Sequence, residues 1–287
     1  MTATRLLIVT AVEPEAAALR AGITQPPPTA SSASPSAHAA APSITHHGAV
    51  AGAQPGTVSV THAEAERGTH ADASQVVHVE AVGVGPAAAA AGTARLIALA
   101  EARGEPYTAV ISAGIAGGFV GRTEVGATVL GTRSIAADLG AEAPTQAEAP
   151  TQAEATGPAE PTEPGAASGR GFIPIEELGF GSSIVAADAA LLKMLSSALP
   201  YAVVGDVLTL ATVTGTAATA AALRARFPDA VAEAMEGYGV AIAARAAGLP
   251  FVELRTISNP VGPRDRAAWR LGEAFSALTE AARKACG

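Results

Sequence analysis

The sequence predicts an α/β fold: a single domain of 287 residues whose sheet is covered by helices on both faces. Three observations carry that expectation. The runs Leu6-Leu-Ile-Val-Thr-Ala-Val12 and Tyr107-Thr-Ala-Val-Ile-Ser112 are apolar and β-favouring throughout, as in strands buried on both sides. Strand-like and helix-like segments alternate along the chain. Apolar residues make up 49% of the chain and charged residues 15%, against about 25% charged in typical domains, so core material is ample. Aromatics are only 3%, which leaves Ala, Val, Leu and Ile to build that core.

The elements follow in order. Arg5 to Ala11 is the first buried strand, and Glu13-Pro-Glu15 opens a helix with Pro14 at a tolerated first-turn position. From residue 24 to about 75 the chain turns to Pro, Ser, Ala, Thr and His without a hydrophobic period, and reads as a flexible insertion with a short strand at Thr57-Val-Ser-Val60. A strand at 76–82 ends in Gly83-Val-Gly85-Pro86, and a helix covers 87–102. The strand at 107–112 runs into Ala113-Gly-Ile-Ala-Gly-Gly118, read as a second glycine turn where backbone N–H groups approach a ligand closely. Val125–Gly131 is a further strand. The tandem hexapeptide Glu142-Ala-Pro-Thr-Gln-Ala147 and Glu148-Ala-Pro-Thr-Gln-Ala153 marks a second flexible insertion at 141–170. Beyond it come a helix near 187–198, a strand at 203–210, a loop at Thr212–Thr216 and a helix at 217–227. Met235-Glu236 then opens a small-residue helix, Gly248-Leu-Pro250 stops it, and an apolar strand carries Arg255 toward Ser258-Asn259. The closing helix places Leu271, Phe275, Leu278 and Ala282 on one face.

Charge and composition narrow the function. A formal charge of −8 without clustered Lys or Arg argues against nucleic acid as partner. No stretch is long and apolar enough to span a membrane. One cysteine, Cys286, excludes an intrachain disulfide and a thiolate metal site, which fits a cytoplasmic protein. His38, His46, His47, His62 and His70 fall in the first insertion at spacings that match no zinc pattern, so no metal is expected. Neither glycine segment completes a dinucleotide fingerprint, and no cofactor is expected.

Seven ordered segments resemble the purine nucleoside phosphorylase and nucleosidase superfamily, and within it the futalosine hydrolase branch. They are Thr10–Glu15, Gly83-Val-Gly85, Ser112–Gly118, Ala136–Gly140, Glu177–Gly181, Met235-Glu236, and Arg255–Asn259 continued by Val261-Gly-Pro-Arg-Asp-Arg266 near Trp269. The resemblance implies a three-layer α/β/α nucleoside phosphorylase-like domain around a twisted mixed sheet. It also implies a purine nucleoside substrate and a homodimer or larger homo-oligomer.

On this resemblance Glu236 holds the two ribose hydroxyls while Met235 packs on the sugar, and Glu15 activates water. Read from the residues alone, Glu236 is equally a favourable acid in a helix's first turn, and Glu13 competes with Glu15. The Thr-Ala-Val-Glu-Pro-Glu register selects Glu15. Gly83 and Ile115-Ala116-Gly117 belong to the glycine segments beside the substrate, and Thr212 and Val213 line the base pocket. Nucleosidases that cleave adenine compounds carry Asp where this chain has Asn259. An amide both donates and accepts, so it suits O6 and N7 of hypoxanthine, whereas an ionised Asp would repel O6. Asp265 is a candidate general acid, and Arg255 either supports the site or forms a structural ion pair. Neither glycine segment carries the phosphate-holding arginines of the phosphorylases, which favours water as nucleophile. Arg264, Arg266 or Arg133, with Phe119, Phe180 or Trp269, are candidates for the carboxyphenyl arm of futalosine. The implied activity is hydrolysis of futalosine to hypoxanthine in a route to menaquinone. Alternatives are a methylthioadenosine/S-adenosylhomocysteine nucleosidase and a non-catalytic nucleoside-binding protein.

Overall fold

The computed structural model describes residues 4–24, 57–60, 75–143 and 171–286. In chain order the first elements are β1 (Thr4–Thr10), α1 (Glu13–Thr24), β2 (Thr57–Val60), β3 (Gln75–Ala81), α2 (Pro86–Ala102), β4 (Ala109–Gly118) and β5 (Thr128–Ala136). There follow β6 (Gly140–Glu142), β7 (Phe172–Pro174), β8 (Ile184–Ala186), α3 (Ala189–Ala198), β9 (Val203–Thr209) and α4 (Ala217–Arg226). The chain ends with β10 (Ala230–Ala234), α5 (Gly237–Ala246), β11 (Phe251–Pro260), a 3-10 turn at Arg266–Ala268 and α6 (Leu271–Cys286).

Nine of these strands form one mixed sheet in the order β10-β9-β5-β11-β4-β1-β3-β2, with β8 against β5. β1 lies parallel to both β3 and β4, and β4 parallel to β11, while β5 is antiparallel to β11. A further antiparallel pairing of β10 with β4 closes the strands β4, β11, β5, β9 and β10 on themselves. The carboxyl ends of β4, β10 and β11 therefore meet.

Alternation along β1 builds the two helical layers, because successive side chains of a strand point to opposite faces. Leu6 and Ile8 pack with Leu19 and Ile23 of α1, Leu195 of α3 and Leu278 of α6. Leu7 and Val9 pack with Ile97 of α2 and Val240 and Ala244 of α5. This is the α/β/α arrangement that the sequence predicts. On α6 the buried face is Ala274, Leu278, Ala281 and Ala282, so Leu271 and Phe275 sit at its margin.

Three expectations need correction. Ala113–Gly118 is not a turn: it continues β4, and its glycines serve close packing within the sheet. Ala230–Ala234 is a strand that the sequence reading passed over, since Ala-Val-Ala-Glu-Ala is poor in β-favouring residues. The insertion boundaries also shift: Thr24 closes α1, and Ala141 and Glu142 belong to β6, paired with β7, while Thr57–Val60 forms the edge strand β2 where a short strand is expected. The rest of both stretches, including the tandem hexapeptide beyond Ala143 and the five clustered histidines, lies outside the described residues.

Helices α1 and α6 pack against each other so closely that a Cβ at Gly22 would lie 2.1 Å from the carbonyl oxygen of Thr279. A backbone atom cannot swing aside. Gly22→Ala is expected to destabilise the fold by about 1–3 kcal/mol, as overpacking does, measured as a lowered urea midpoint with an unchanged m-value.

Candidate active site

One cleft gathers the carboxyl end of β1, the glycine run of β4, the junction of β10 with α5, and the end of β11 with the turn after it. Open α/β sheets place ligands at such strand ends. Glu15, Ile115, Ala116, Gly117, Val213, Met235, Glu236, Asn259 and Asp265 all line it. Gly83 and Thr212 stand beside lining residues Val84 and Val213 rather than in the wall, and Arg255 lies behind it.

Local structure sends Glu13 and Glu15 to different places. Val12 is the residue before the first turn of α1, and Glu15 is the third residue of that helix. A glutamate there reaches back to the free N–H groups at the helix start: Glu15 Oε2 accepts from Ala11 N at 3.0 Å and Val12 N at 3.2 Å. Its Oε1 accepts from Ile115 N at 2.9 Å. Glu13 points outward and pairs with Arg20. A Cβ at Gly114 would sit 2.6 Å from Glu15 Oε1 and 2.9 Å from Arg255 NH1, so only glycine allows this carboxylate so near β4. Burial pushes the Glu15 pKa up, while the Ile115 N–H and the Arg255 charge oppose that shift.

Glu236 occupies the cap position of α5 but makes no side-chain cap. Instead its Oε1 accepts from Gly85 N at 3.2 Å, the cap residue of α2, and its Oε2 from Met235 N at 3.3 Å. The carboxylate thus rests where two helices begin, and helix N-termini favour negative charge.

Arg255 and Glu253 project from the same side of β11 and are fully buried. Arg255 Nε donates to Glu253 Oε1 at 2.8 Å and its NH2 to Ser112 Oγ at 3.0 Å. The other Glu253 oxygen accepts from Ser134 Oγ. Arg255 NH1 lies 3.6 Å from Glu236 Oε2 and makes no hydrogen bond among the described residues. Burial alone would lower the Arg255 pKa; Glu253, Glu236 and Glu15 together hold it raised. Burial likewise raises the Glu253 pKa, with Arg255 and Ser134 pulling it back. Arg255 lies in the middle of β11 and forms a buried ion pair with Glu253.

Past Arg255 the β11–β4 register slips between Ile257 and Asn259. Such a bulge re-aims the following side chain. Asn259 Oδ1 accepts from Ser258 Oγ at 2.8 Å and its Nδ2 donates to Pro260 O at 3.0 Å, which leaves one amide proton for another partner. Asp265 is exposed, and its carboxylate accepts from Ala267 N at 2.9 Å to cap the short turn there. Arg264 and Trp269 reach the cleft, the guanidinium 5.9 Å from the ring centre. The other arm candidates stay outside it. Arg133 pairs with Asp206, Phe119 is fully buried in a separate core, and Phe180 and Arg266 are exposed away from the lining.

Sequence reasoning missed Glu233 and Thr214 in the lining, which also holds Ser258 beside Asn259. The polar residue in the weak strand Ala230–Ala234 was the available signal for Glu233. Among the described residues no group of three or more His, Cys, Asp or Glu is arranged to hold a metal ion, and no helix is long and apolar enough to cross a membrane.

Removing the guanidinium leaves buried carboxylates without their counter-charge, a loss of about 3–5 kcal/mol in comparable pairs. Arg255→Met should lower the thermal midpoint strongly, and Arg255→Lys, which keeps the charge without the fork, should fall between it and the parent protein.

The comparisons with known proteins agree with this architecture. The sequence matches the family model of the Phosphorylase superfamily over residues 48–287. A futalosine hydrolase of Streptomyces coelicolor is 49% identical over 204 residues, 71% of this chain and 76% of that protein. One from Acidothermus cellulolyticus is 43% identical over 60% of this chain and 64% of its own length. Among solved structures, a 5'-methylthioadenosine/S-adenosylhomocysteine nucleosidase from Colwellia psychrerythraea, in complex with adenine, superposes with a TM-score of 0.63 at 21% identity, over 100% of this chain and 96% of that one. The futalosine hydrolase of Helicobacter pylori gives 0.59 at 14% identity, over 98% and 96%. At those identities the structural likeness establishes the fold, and the sequence matches establish the kinship: the chain belongs to the phosphorylase superfamily and, within it, to the futalosine hydrolase family.

Proposed function

We propose that this protein is an N-glycosyl hydrolase that cleaves futalosine to hypoxanthine and the ribosyl product, in the futalosine route to menaquinone. The observation that carries the reading is the convergence of Glu15, Glu236 and Asn259 on one cleft in a chain 49% identical to a futalosine hydrolase.

Each residue has a role suited to its setting. Glu236, held by the Gly85 and Met235 N–H groups, accepts hydrogen bonds from the ribose hydroxyls and orients the anomeric carbon, with Met235 against the sugar. Glu15 takes a proton from water as the water oxygen bonds to C1′. The C1′–N9 bond breaks with its electron pair moving into the purine, which gains a proton. Asn259 donates an amide hydrogen bond toward N7 and O6, drawing charge from the leaving base. With its carboxylate committed to Ala267 N–H and open to solvent, Asp265 is a weaker candidate for the acid than water. Arg255 acts as a positioning residue through Glu236 and Glu15. Water is favoured over phosphate because Arg255 is already bonded to Glu253 and Ser112, and the glycine run at 113–118 brings no arginine of its own. Val213 shapes the wall with Gly83 and Thr212 adjoining it, and Arg264 with Trp269 stands where the 5′ arm leaves the cleft. A homodimer or larger oligomer is the expected assembly, measurable by light scattering.

The test is chromatography of free purine after incubation with futalosine, methylthioadenosine and inosine, with and without phosphate. Hypoxanthine released from futalosine without phosphate is the expected result. Adenine from methylthioadenosine would assign the nucleosidase alternative, and a phosphate requirement would replace water as nucleophile. Glu15→Gln should lower kcat by about 10²–10⁴-fold, the usual worth of a general base, with KM little changed.

Catalysis needs ionised Glu15, and burial raises its pKa. Activity should therefore fall as pH drops, with the midpoint of the acid limb above the ordinary carboxylate range. A kcat/KM profile measures it; a limb at an ordinary glutamate pKa would contradict the assignment.

Asn259→Asp places a carboxylate against O6. Futalosine cleavage should drop by about 10²-fold or more while the 6-amino analogue is spared, since a site with mispaired polar groups rejects its ligand strongly.

A further inference from the structure

The cleft contains one buried ionisable side chain that the proposed hydrolysis leaves unused. Glu233, on β10, lines the cleft at 6% exposure. Thr214 grips it: the backbone N–H donates to Oε1 at 2.7 Å and the hydroxyl to Oε2 at 2.5 Å. A backbone N–H can only donate, so Oε1 is committed as an acceptor. Each carboxylate oxygen retains a second acceptor site.

Sheet register gives this carboxylate a partner. β10 and β11 lie on opposite sides of β4, and both Glu233 and Asn259 are registered against the same residue, Gly117. Neighbouring strands are about 4.8 Å apart, which puts the two flanks about 10 Å from each other. Between them Gly117 has no side chain, and a Cβ there would press on Val261 at 2.9 Å and on the Asn259 amide at 3.4 Å. A flat ring can stand over Gly117 with a buried acceptor at one edge and an amide at the other.

A 6-oxopurine fits that pair. Its N1–H is a donor on one side of O6, and N7 is an acceptor on the other. Adenine presents a bare acceptor at N1, which would face the carboxylate acceptor. We propose that Glu233 is a specificity-determining residue, accepting the N1–H of the leaving 6-oxopurine while Asn259 meets its O6 and N7 edge. This rests on the hydrolase reading above and deepens it.

Base binding and turnover test the two separately. Calorimetry compares hypoxanthine, 1-methylhypoxanthine and adenine on the parent protein, Glu233→Gln and Thr214→Val. The parent should bind hypoxanthine at least about tenfold tighter than 1-methylhypoxanthine, as expected where a site's hydrogen-bonding group loses its partner. Glu233→Gln should erase most of that ratio, and Thr214→Val should keep it, since the carboxylate remains. In turnover, Glu233→Gln should lower the kcat/KM preference for futalosine over its 6-amino analogue by at least about tenfold. Equal affinity of the parent protein for hypoxanthine and 1-methylhypoxanthine overturns the proposal even if Glu233→Gln does not fold. So does a Glu233→Gln variant that weakens all three bases alike, which would mark a purely structural carboxylate. If the parent binds hypoxanthine selectively but cleaves neither nucleoside, the hydrolase reading fails and the assignment of Glu233 stands.

Discussion

The site depends on a single buried cation. Arg255 is enclosed by Glu253, Glu236 and Glu15, and only the first of these takes a short, direct ion pair. Burying three carboxylates in one region is tolerable only with a counter-charge and with donors for the remaining oxygens. The donors come from backbone N–H groups of Ala11, Val12, Gly85, Ile115 and Met235, and from Ser134. The scaffold's strand ends and helix starts are thus the electrostatic support of the cleft as well as its walls.

That support gives the Glu15 and Glu236 carboxylates different surroundings. Glu15 spends its oxygens on helix-start and strand N–H groups yet is pushed toward protonation by burial. Glu236 sits at the beginnings of α2 and α5, beside the Arg255 fork.

Glycine has a distinct part in this. In β4 it removes side chains from the floor: at Gly114 so that Glu15 and Arg255 can close on the strand, and at Gly117 so that the space between β10 and β11 stays open. The same run read as a turn in the sequence because glycine commonly marks turns; here its value is the missing Cβ rather than an unusual backbone angle. The slip in register at Asn259 acts with it, turning the amide toward the opened floor.

The sequence by itself determined the alternation of strands and helices and the double covering of β1, and the resemblance carried by its ordered motifs pointed to Glu15, Met235-Glu236 and Asn259. Those features are carried by local pattern, by capping geometry within four residues, and by ordered short motifs. Tertiary structure decided what depends on residues far apart in the chain. The closure of β10 onto β4 brought Glu233 beside Gly117, although its own strand is too alanine-rich to announce itself. Arg255 became a buried hub because Glu15 and Glu236 approach it from distant elements. Of the arm candidates, Arg264 and Trp269 reached the cleft while Arg133, Phe119 and Phe180 did not. Periodicity and propensity are local quantities, whereas register between strands and the sharing of a buried charge exist only once the chain has closed.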